Sequence, residues 1–240
     1  MIKEITSLKN PFVKELLGLK SSKIKKQENR FLIEGEDLVE LAYLEGQLDM
    51  IITLEENSKY QDIDQVLVND AIIAKLSNNK SPSKILGVAH YKKHQLKGNK
   101  IVYLDNVQDP GNVGTIIRTA LSFSYDAVVL GNGTASIYND KVIQSSKGGV
   151  FRLPVFEDLS LEELKEQGYE VVSTALHGAI DYKTFSPKEK FILVFGNEGQ
   201  GISEQTLKLS DALIKISMSN IDSLNVAIAA GILMNEYRGD

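Results

Sequence analysis

Along the first ninety or so residues, apolar positions come in short runs of two different periods. Pro11–Leu19 spaces its apolar residues as a short helix does, whereas Ser21–Arg30, reading SSKIKKQENR, has no such spacing and predicts a polar, basic loop. Arg30–Gly35 predicts a brief strand ending at a glycine. Leu38, Val39, Leu41, Ala42 and Leu44 mark a helix over Asp37–Glu45, and Met50–Leu54, Gln65–Val68 and Ile85–Ala89 predict three further strands. These elements make a small α/β unit of about 90 residues. The stretch KKHQLKGNK, polar and without periodicity, puts the boundary near residues 93–99, giving domains 1–95 and 96–240.

Beyond that boundary the alternation is regular. Strands 101–106, 127–130, 169–175, 191–195 and 212–217 are separated by helical stretches at 113–123, 139–146, 160–167, 204–209 and 223–237. Such alternation predicts parallel strands with helices on both faces. The last helix is apolar almost all round, so it should be buried against the sheet or against another subunit.

Composition narrows the function classes. The chain has no cysteine, which removes disulfides, thiol catalysis and thiolate metal sites and suits a reducing compartment. The longest apolar run, Val226–Met234, is far shorter than the about 18 residues that span a bilayer, and MIKEITSLKN lacks a signal-peptide core, so a cytoplasmic protein away from the membrane is expected. The net charge of −5 hides an asymmetry: residues 1–30 carry +5, residues 31–100 carry −3 and residues 101–240 carry −7. Lys20, Lys23, Lys25, Lys26 and Arg30 cluster in or beside the basic loop, and a second basic stretch runs from Lys84 to Lys100. Either is solvated lysine or a phosphate-contacting surface.

Parallel sheets bind ligands in loops at the carboxyl ends of their strands, and three such loops are unusual. After strand 101–106, Asp109-Pro110-Gly111 makes a turn and Asn112 can cap a helix that carries Arg118 about a turn and a half in; a lone helical Arg most simply makes a surface salt bridge. After strand 191–195, Gly196-Asn197-Glu198-Gly199-Gln200-Gly201 holds three glycines in six residues, more than a turn needs, in neither a dinucleotide nor a P-loop spacing. Glu198 there is either a helix cap or an acceptor for a partner group. After strand 212–217, Ser223 can be an ordinary N-cap, and Asn225 points with it toward the sheet end.

As an ordered set, Asn112-x-Gly114-x-x-x-Arg118, Gly196-Asn197-Glu198-Gly199-x-Gly201 and Ile216-x-Met218 followed by Ser223-Leu224-Asn225-Val226 resemble the three motifs of the SpoU or TrmH branch of the SPOUT methyltransferases. The resemblance covers roughly residues 101–240. The front segment, with Arg30-Phe31-Leu32-Ile33-Glu34-Gly35, resembles the small L30e-like α/β domain that binds substrate in such enzymes. The implied fold is α/β: a parallel-sheet methyltransferase domain with a trefoil knot behind the L30e-like domain. Also implied are a homodimer, S-adenosyl-L-methionine as cofactor, no metal, and methyl transfer to an RNA ribose 2′-hydroxyl. The resemblance places the cofactor near Gly196, Asn197, Gly201, Ile216, Met218, Leu224 and Asn225, with Thr174 and Leu176 as a further wall. Catalysis would fall to Arg118, Asn112, Glu198, Ser223 and Asn225. Arg118, always protonated, would hold a phosphate and stabilise the developing oxyanion, and Glu198 could take the proton. Family members carry Pro, Gly and Glu where Ser217, Asn220 and Asp222 stand.

Other classes fit less well. A non-catalytic RNA-binding relative would lose the cleft residues, and an NAD enzyme would need a G-x-G-x-x-G that is absent. A metal site would have to rely on His90, His94 and His177, two of them within a lysine-rich stretch that repels cations. The resemblance further implies large-subunit ribosomal RNA over transfer RNA as substrate, since a separate L30e-like front domain is more usual in the family's ribosomal members.

Overall fold

A computed structural model describes residues 1–221 and 223–238, and the chain divides into two compact units, residues 1–93 and 94–240. The first contains β1 (Ile2–Ile5), α1 (Pro11–Gly18), α2 (Ser22–Glu28), β2 (Phe31–Glu34), α3 (Glu36–Leu44), β3 (Leu48–Thr53), β4 (Asp64–Val68), α4 (Asp70–Leu76) and β5 (Ile85–Ala89). Its sheet runs β1-β4-β3-β5-β2, with β1, β4 and β3 parallel and β5 antiparallel to both of its neighbours. Val13, Leu16 and Leu19 pack with Ile72, Ile73 and Leu76 over strand residues Ile52, Val66, Leu86 and Val88.

Three segments of this unit differ from the sequence expectation, one of them α4, a seven-residue helix capped by Asn69 where no element was expected. The basic stretch is a helix, not a loop: Lys and Gln are good helix formers, and the half-buried Ile24 gives α2 one apolar anchor where a full stripe would have been visible. β1 has three exposed residues and one buried, so it carries no alternating signal, and its parallel pairing to β4 supplies the order.

The second unit contains β6 (Lys100–Asp105), α5 (Pro110–Ser122), β7 (Ala127–Leu130), α6 (Asp140–Ser145), α7 (Gly149–Arg152), β8 (Val155–Phe156), α8 (Leu161–Glu166), β9 (Glu170–Thr174), β10 (Ile180–Asp181), β11 (Phe191–Gly196), α9 (Glu204–Leu209), β12 (Ala212–Lys215) and α10 (Val226–Glu236). All seven strands are parallel, in the order β10-β12-β9-β11-β6-β7-β8. β6, β7 and β11 are buried almost throughout, as continuous apolar runs covered on both faces should be. From β6 the chain moves outward through β7 to β8, and the remaining strands lie on its other side. β6 and β11 therefore flank the switch in strand order where open parallel sheets place their ligand crevice.

The register brings loop beginnings together. Ile214 pairs with Thr174, Val194 with Ser173 and Gly196 with Asp105, so Ile216, Leu176, Asn197 and Asn106 leave the sheet at one edge. No helix among the described residues is long and apolar enough to cross a membrane.

Candidate functional site

The loop after β6 turns through Asn106, whose φ of 59° lies in the left-handed region that Asn tolerates. The cap of α5 is Asp109, which accepts the Asn112 N–H at 3.0 Å. That backbone donation, aided by Lys141, holds the Asp109 carboxyl below its ordinary value. Asn112 is thus not the cap expected from the sequence: it lies inside the first turn and its amide is free to reach across the crevice. Gly114 has a packing role, since a Cβ there would meet Ser145 Oγ at 2.0 Å and the Val142 carbonyl at 2.5 Å, where α6 crosses α5.

The glycine loop closes on itself. Asn197 and Gly201 exchange backbone hydrogen bonds of 2.9 Å, and Asn197 Oδ1 accepts the N–H groups of Gly199 and Gln200. Asn197 Nδ2 donates to the Asn106 carbonyl at 2.9 Å, so this side chain ties the second loop to the first. Gly196 is required because a Cβ would lie 2.4 Å from the Gly201 carbonyl carbon, which is backbone and cannot step aside. Gly201, at φ 73°, faces open space. Glu198 sits at the exposed tip and caps no helix, since α9 begins later with Ser203 as its cap.

In the third loop Asn220 has φ 65°, the conformation a glycine would supply. Asp222 lies outside the described residues. Asn225, not Ser223, caps the last helix: its Oδ1 accepts the N–H groups of Ala227 and Ile228 at 2.9 and 3.3 Å. Because the oxygen is committed to the helix, Nδ2 must face outward, and it donates to Asn112 Oδ1 at 3.1 Å. Asn112 Nδ2 in turn donates to Glu198 Oε1 at 2.9 Å. One directional chain, Asn225 to Asn112 to Glu198, therefore joins all three loops.

The remaining candidates divide. Arg118 follows Asn112 by six residues, ~9 Å along the axis and about a third of a turn away, so it does not join the chain. It is exposed, and among the described residues no carboxylate pairs with it, which leaves the surface salt bridge without support. Ser223 is exposed, while Ile216, Met218 and Leu224 are half-buried and Leu176 is 55% exposed. Those four apolar side chains and a loop without Cβ atoms at 199 and 201 fit a ligand with a flat, partly apolar body such as an adenosyl group. Thr174 Oγ1 donates to the Val194 carbonyl and so braces β9 against β11.

Among the front-unit lysines, Lys25 is a correction. It is only 2% exposed, so it cannot meet a phosphate at the surface. Arg30 pairs with Glu15 at 3.3 Å and Asp49 at 3.7 Å, Lys20 Nζ donates to the Ser77 carbonyl, and Lys23 and Lys26 are exposed on α2. His90 is held by Asp49 at 2.8 Å, and no group of three or more metal-ligating side chains occurs among the described residues.

Two contacts had no warning in the sequence pattern. Asp105, at the end of β6 and 8% exposed, accepts the Ser203 N–H at 2.8 Å and anchors the far end of the glycine loop. Asp181 accepts the Ser217 hydroxyl and the Lys183 N–H, which hold its carboxyl below the ordinary value and fasten the third loop to β10. A carboxylate directly at a strand end could have flagged Asp105; nothing marked Asp181.

Residues 99–235 match the model of the SpoU rRNA methylase family, and residues 10–87 match the MRM3-like substrate binding domain. The 23S rRNA (guanosine(2553)-2′-O)-methyltransferase RlmP of Bacillus subtilis is 37% identical, over 99% of this chain and all of that protein. The crystal structure of an AdoMet-bound rRNA methyltransferase from Sinorhizobium meliloti superposes with a TM-score of 0.86 at 30% identity, over 98% of this chain and 97% of that one. An RNA 2′-O ribose methyltransferase structure aligns over 97% of each chain with a TM-score of 0.79 at 27% identity.

Proposed function

The chain belongs to the SpoU rRNA methylase family, and from that membership we propose that it methylates a ribose 2′-hydroxyl of 23S ribosomal RNA in the cytoplasm, using S-adenosylmethionine. The observation that carries this reading is the hydrogen-bonded chain Asn225–Asn112–Glu198, which unites the three motif loops at the switch in strand order. The full-length likeness to RlmP favours large-subunit over transfer RNA and makes its guanosine the first position to test. The front unit would select the RNA and the second unit would carry the reaction. A trefoil knot and a homodimer belong to the same proposal, the dimer supported by Ile228, 56% exposed on the otherwise packed α10.

Bound S-adenosylmethionine supplies an electrophilic methyl group. The chain's own residues must align the 2′-oxygen in line with it and remove the hydroxyl proton. Gly196, Gly201, Ile216, Met218 and Leu224, with Leu176 and Thr174 as a wall, would hold the cofactor, and Asn197 would keep the glycine loop in shape. Glu198, an acceptor fixed by Asn112, takes the proton. Ser223, exposed one residue ahead of Leu224, would bond the ribose. Arg118 binds the neighbouring phosphate and stabilises charge developing on the 2′-oxygen.

Mapping 2′-O-methyl groups on total RNA from cells with and without the gene tests the reading. One 23S rRNA ribose should lose its methyl group without the gene, and the purified protein with S-adenosylmethionine should restore it. Loss of a transfer RNA methyl group alone would move the substrate, and no loss at all would reject the activity.

A further inference from the structure

Glu34 ends β2, and its carboxylate is turned onto the segment between α4 and β5. Both of its oxygens accept the Ser77 hydroxyl, at 2.9 and 2.8 Å, and Oε1 also accepts the Ser83 N–H at 2.8 Å. Ser77 Oγ accepts the Asn79 N–H at 2.9 Å, and its carbonyl receives Lys20 Nζ at 3.0 Å. Residues 77–84 are thus pinned at both ends by one carboxylate and tied by a lysine to the turn after α1.

Between the pins stand Asn78, Asn79, Lys80, Ser81 and Pro82, all exposed, with the exposed Lys84 just beyond Ser83 and no acid in the segment. A loop whose lysines merely face solvent needs no such anchoring, because mobile lysines are solvated as well as fixed ones. Fixing them has a use when a partner presents charges at set spacings, as a folded RNA backbone does. The alternative cationic face on α2 is depleted, since Lys25 is buried and Arg30 is paired with two acids.

We propose that the segment 77–84, held rigid by Glu34, is the RNA-contacting surface of the front unit, with Lys80 and Lys84 on phosphates and the Asn79 amide on a ribose or base edge. This rests on the reading that the front unit selects RNA. In it Lys20 and Glu34 are positioning residues rather than contacts.

The test uses the full-length protein and a 23S rRNA transcript, with affinity measured across a salt series. Lys80→Glu with Lys84→Glu should weaken binding by at least about tenfold and lower the salt slope by about 1.4–1.8, the share of two phosphates. Glu34→Gln should weaken RNA binding several-fold and speed amide hydrogen exchange in residues 77–84 while leaving exchange in β3 and β4 of the same unit unchanged, a split that unfolding of the front unit would not give. Lys9→Glu with Lys14→Glu makes the same change in net charge on the same unit and should have a much smaller effect. An equal loss in that control would assign the effect to net charge and overturn the surface. Normal binding by the Lys80/Lys84 variant with weak binding by Lys23→Glu/Lys26→Glu would move the contact to α2 and overturn the proposal while sparing the reading beneath it. If no front-unit variant alters RNA affinity, that reading falls as well.

Discussion

Asn225 performs two tasks with one amide, capping α10 through its oxygen and orienting Asn112 through its nitrogen. Asp caps helices as well as Asn does, so Asn225→Asp should leave the melting temperature unchanged. It places an acceptor against Asn112 Oδ1, however, and Asn112 can satisfy it only by turning its own oxygen toward Glu198. Methyl transfer should fall about tenfold, the worth of one such hydrogen bond, and Glu198→Gln should flatten the acid limb of the pH–rate profile. Arg118 lies off this chain; if it acts by charge as proposed, Arg118→Ala should keep cofactor affinity by calorimetry while turnover drops about 100–1,000-fold. Arg118→Lys should recover part of the loss, because a point charge lacks the planar fork. Wild-type turnover in Arg118→Ala would return it to the role of a surface cation. The identity of these residues was legible in the sequence because they stand in three ordered motifs; their bonding was not. Which Asn caps and which reaches across depends on where α5 and α10 begin, and the starts differ from the sequence expectation by three residues in each case.

Helices α5 and α10 show why boundaries escape periodicity while interiors do not. The apolar spacing of Val113, Ile116, Ile117 and Ala120 marks α5 plainly, but its first turn, Pro110-Gly111-Asn112, is set by Asp109 accepting a backbone N–H. Strands 127–130 and 191–195 were readable as apolar runs, whereas β8 and β10, two residues each, are ordered by their neighbours and have no pattern to read. α2 escaped because one buried lysine and one half-buried isoleucine cannot mark a stripe. The cap of α5 makes a prediction at this scale. Asp109→Ala should cost about 1 kcal/mol of stability, and Asp109→Asn should keep nearly all of it at neutral pH. The folded carboxyl titrates below its ordinary value of 3.8, so its contribution is present above that value and lost as pH falls through the lowered one. The melting temperature of the native chain relative to Asp109→Asn should therefore be constant above about pH 5 and decline below about pH 4. Since α5 carries both Asn112 and Arg118, Asp109→Ala should also reduce turnover more than cofactor binding.

Each unit has its own apolar cluster, the first around Leu16, Ile52 and Val88, the second around Ile101, Val129 and Ile192, so neither depends on the other for a core. Charge is unevenly shared between them: residues 1–93 balance 14 Lys/Arg with 14 acids and gather their positive charge in residues 1–30, at +5, whereas residues 94–240 carry −5. At this scale α10 also bears on assembly: Val226, Ala230, Leu233 and Met234 are satisfied within the unit, and Ile228 is the large apolar side chain it leaves exposed. If a second copy covers it, Ile228→Glu should convert the dimer to a monomer by light scattering, and an unchanged mass would place the interface elsewhere. A net-acidic catalytic unit cannot gather RNA by long-range attraction, so the two functions should separate when the chain is cut. A protein comprising residues 94–240 keeps the three motif loops, the chain from Asn225 to Glu198 and its own core. It should fold and bind S-adenosylmethionine with native affinity, yet methylate 23S rRNA slowly and with little dependence on salt, because the lysines that release counterions are gone. Adding the isolated front unit in trans should not restore the rate, since linkage is what raises the local concentration of bound RNA. If residues 94–240 methylate the transcript as fast and as selectively as the whole chain, recognition resides in the second unit, and the lysines of α2 and of the segment 77–84 are solvated surface.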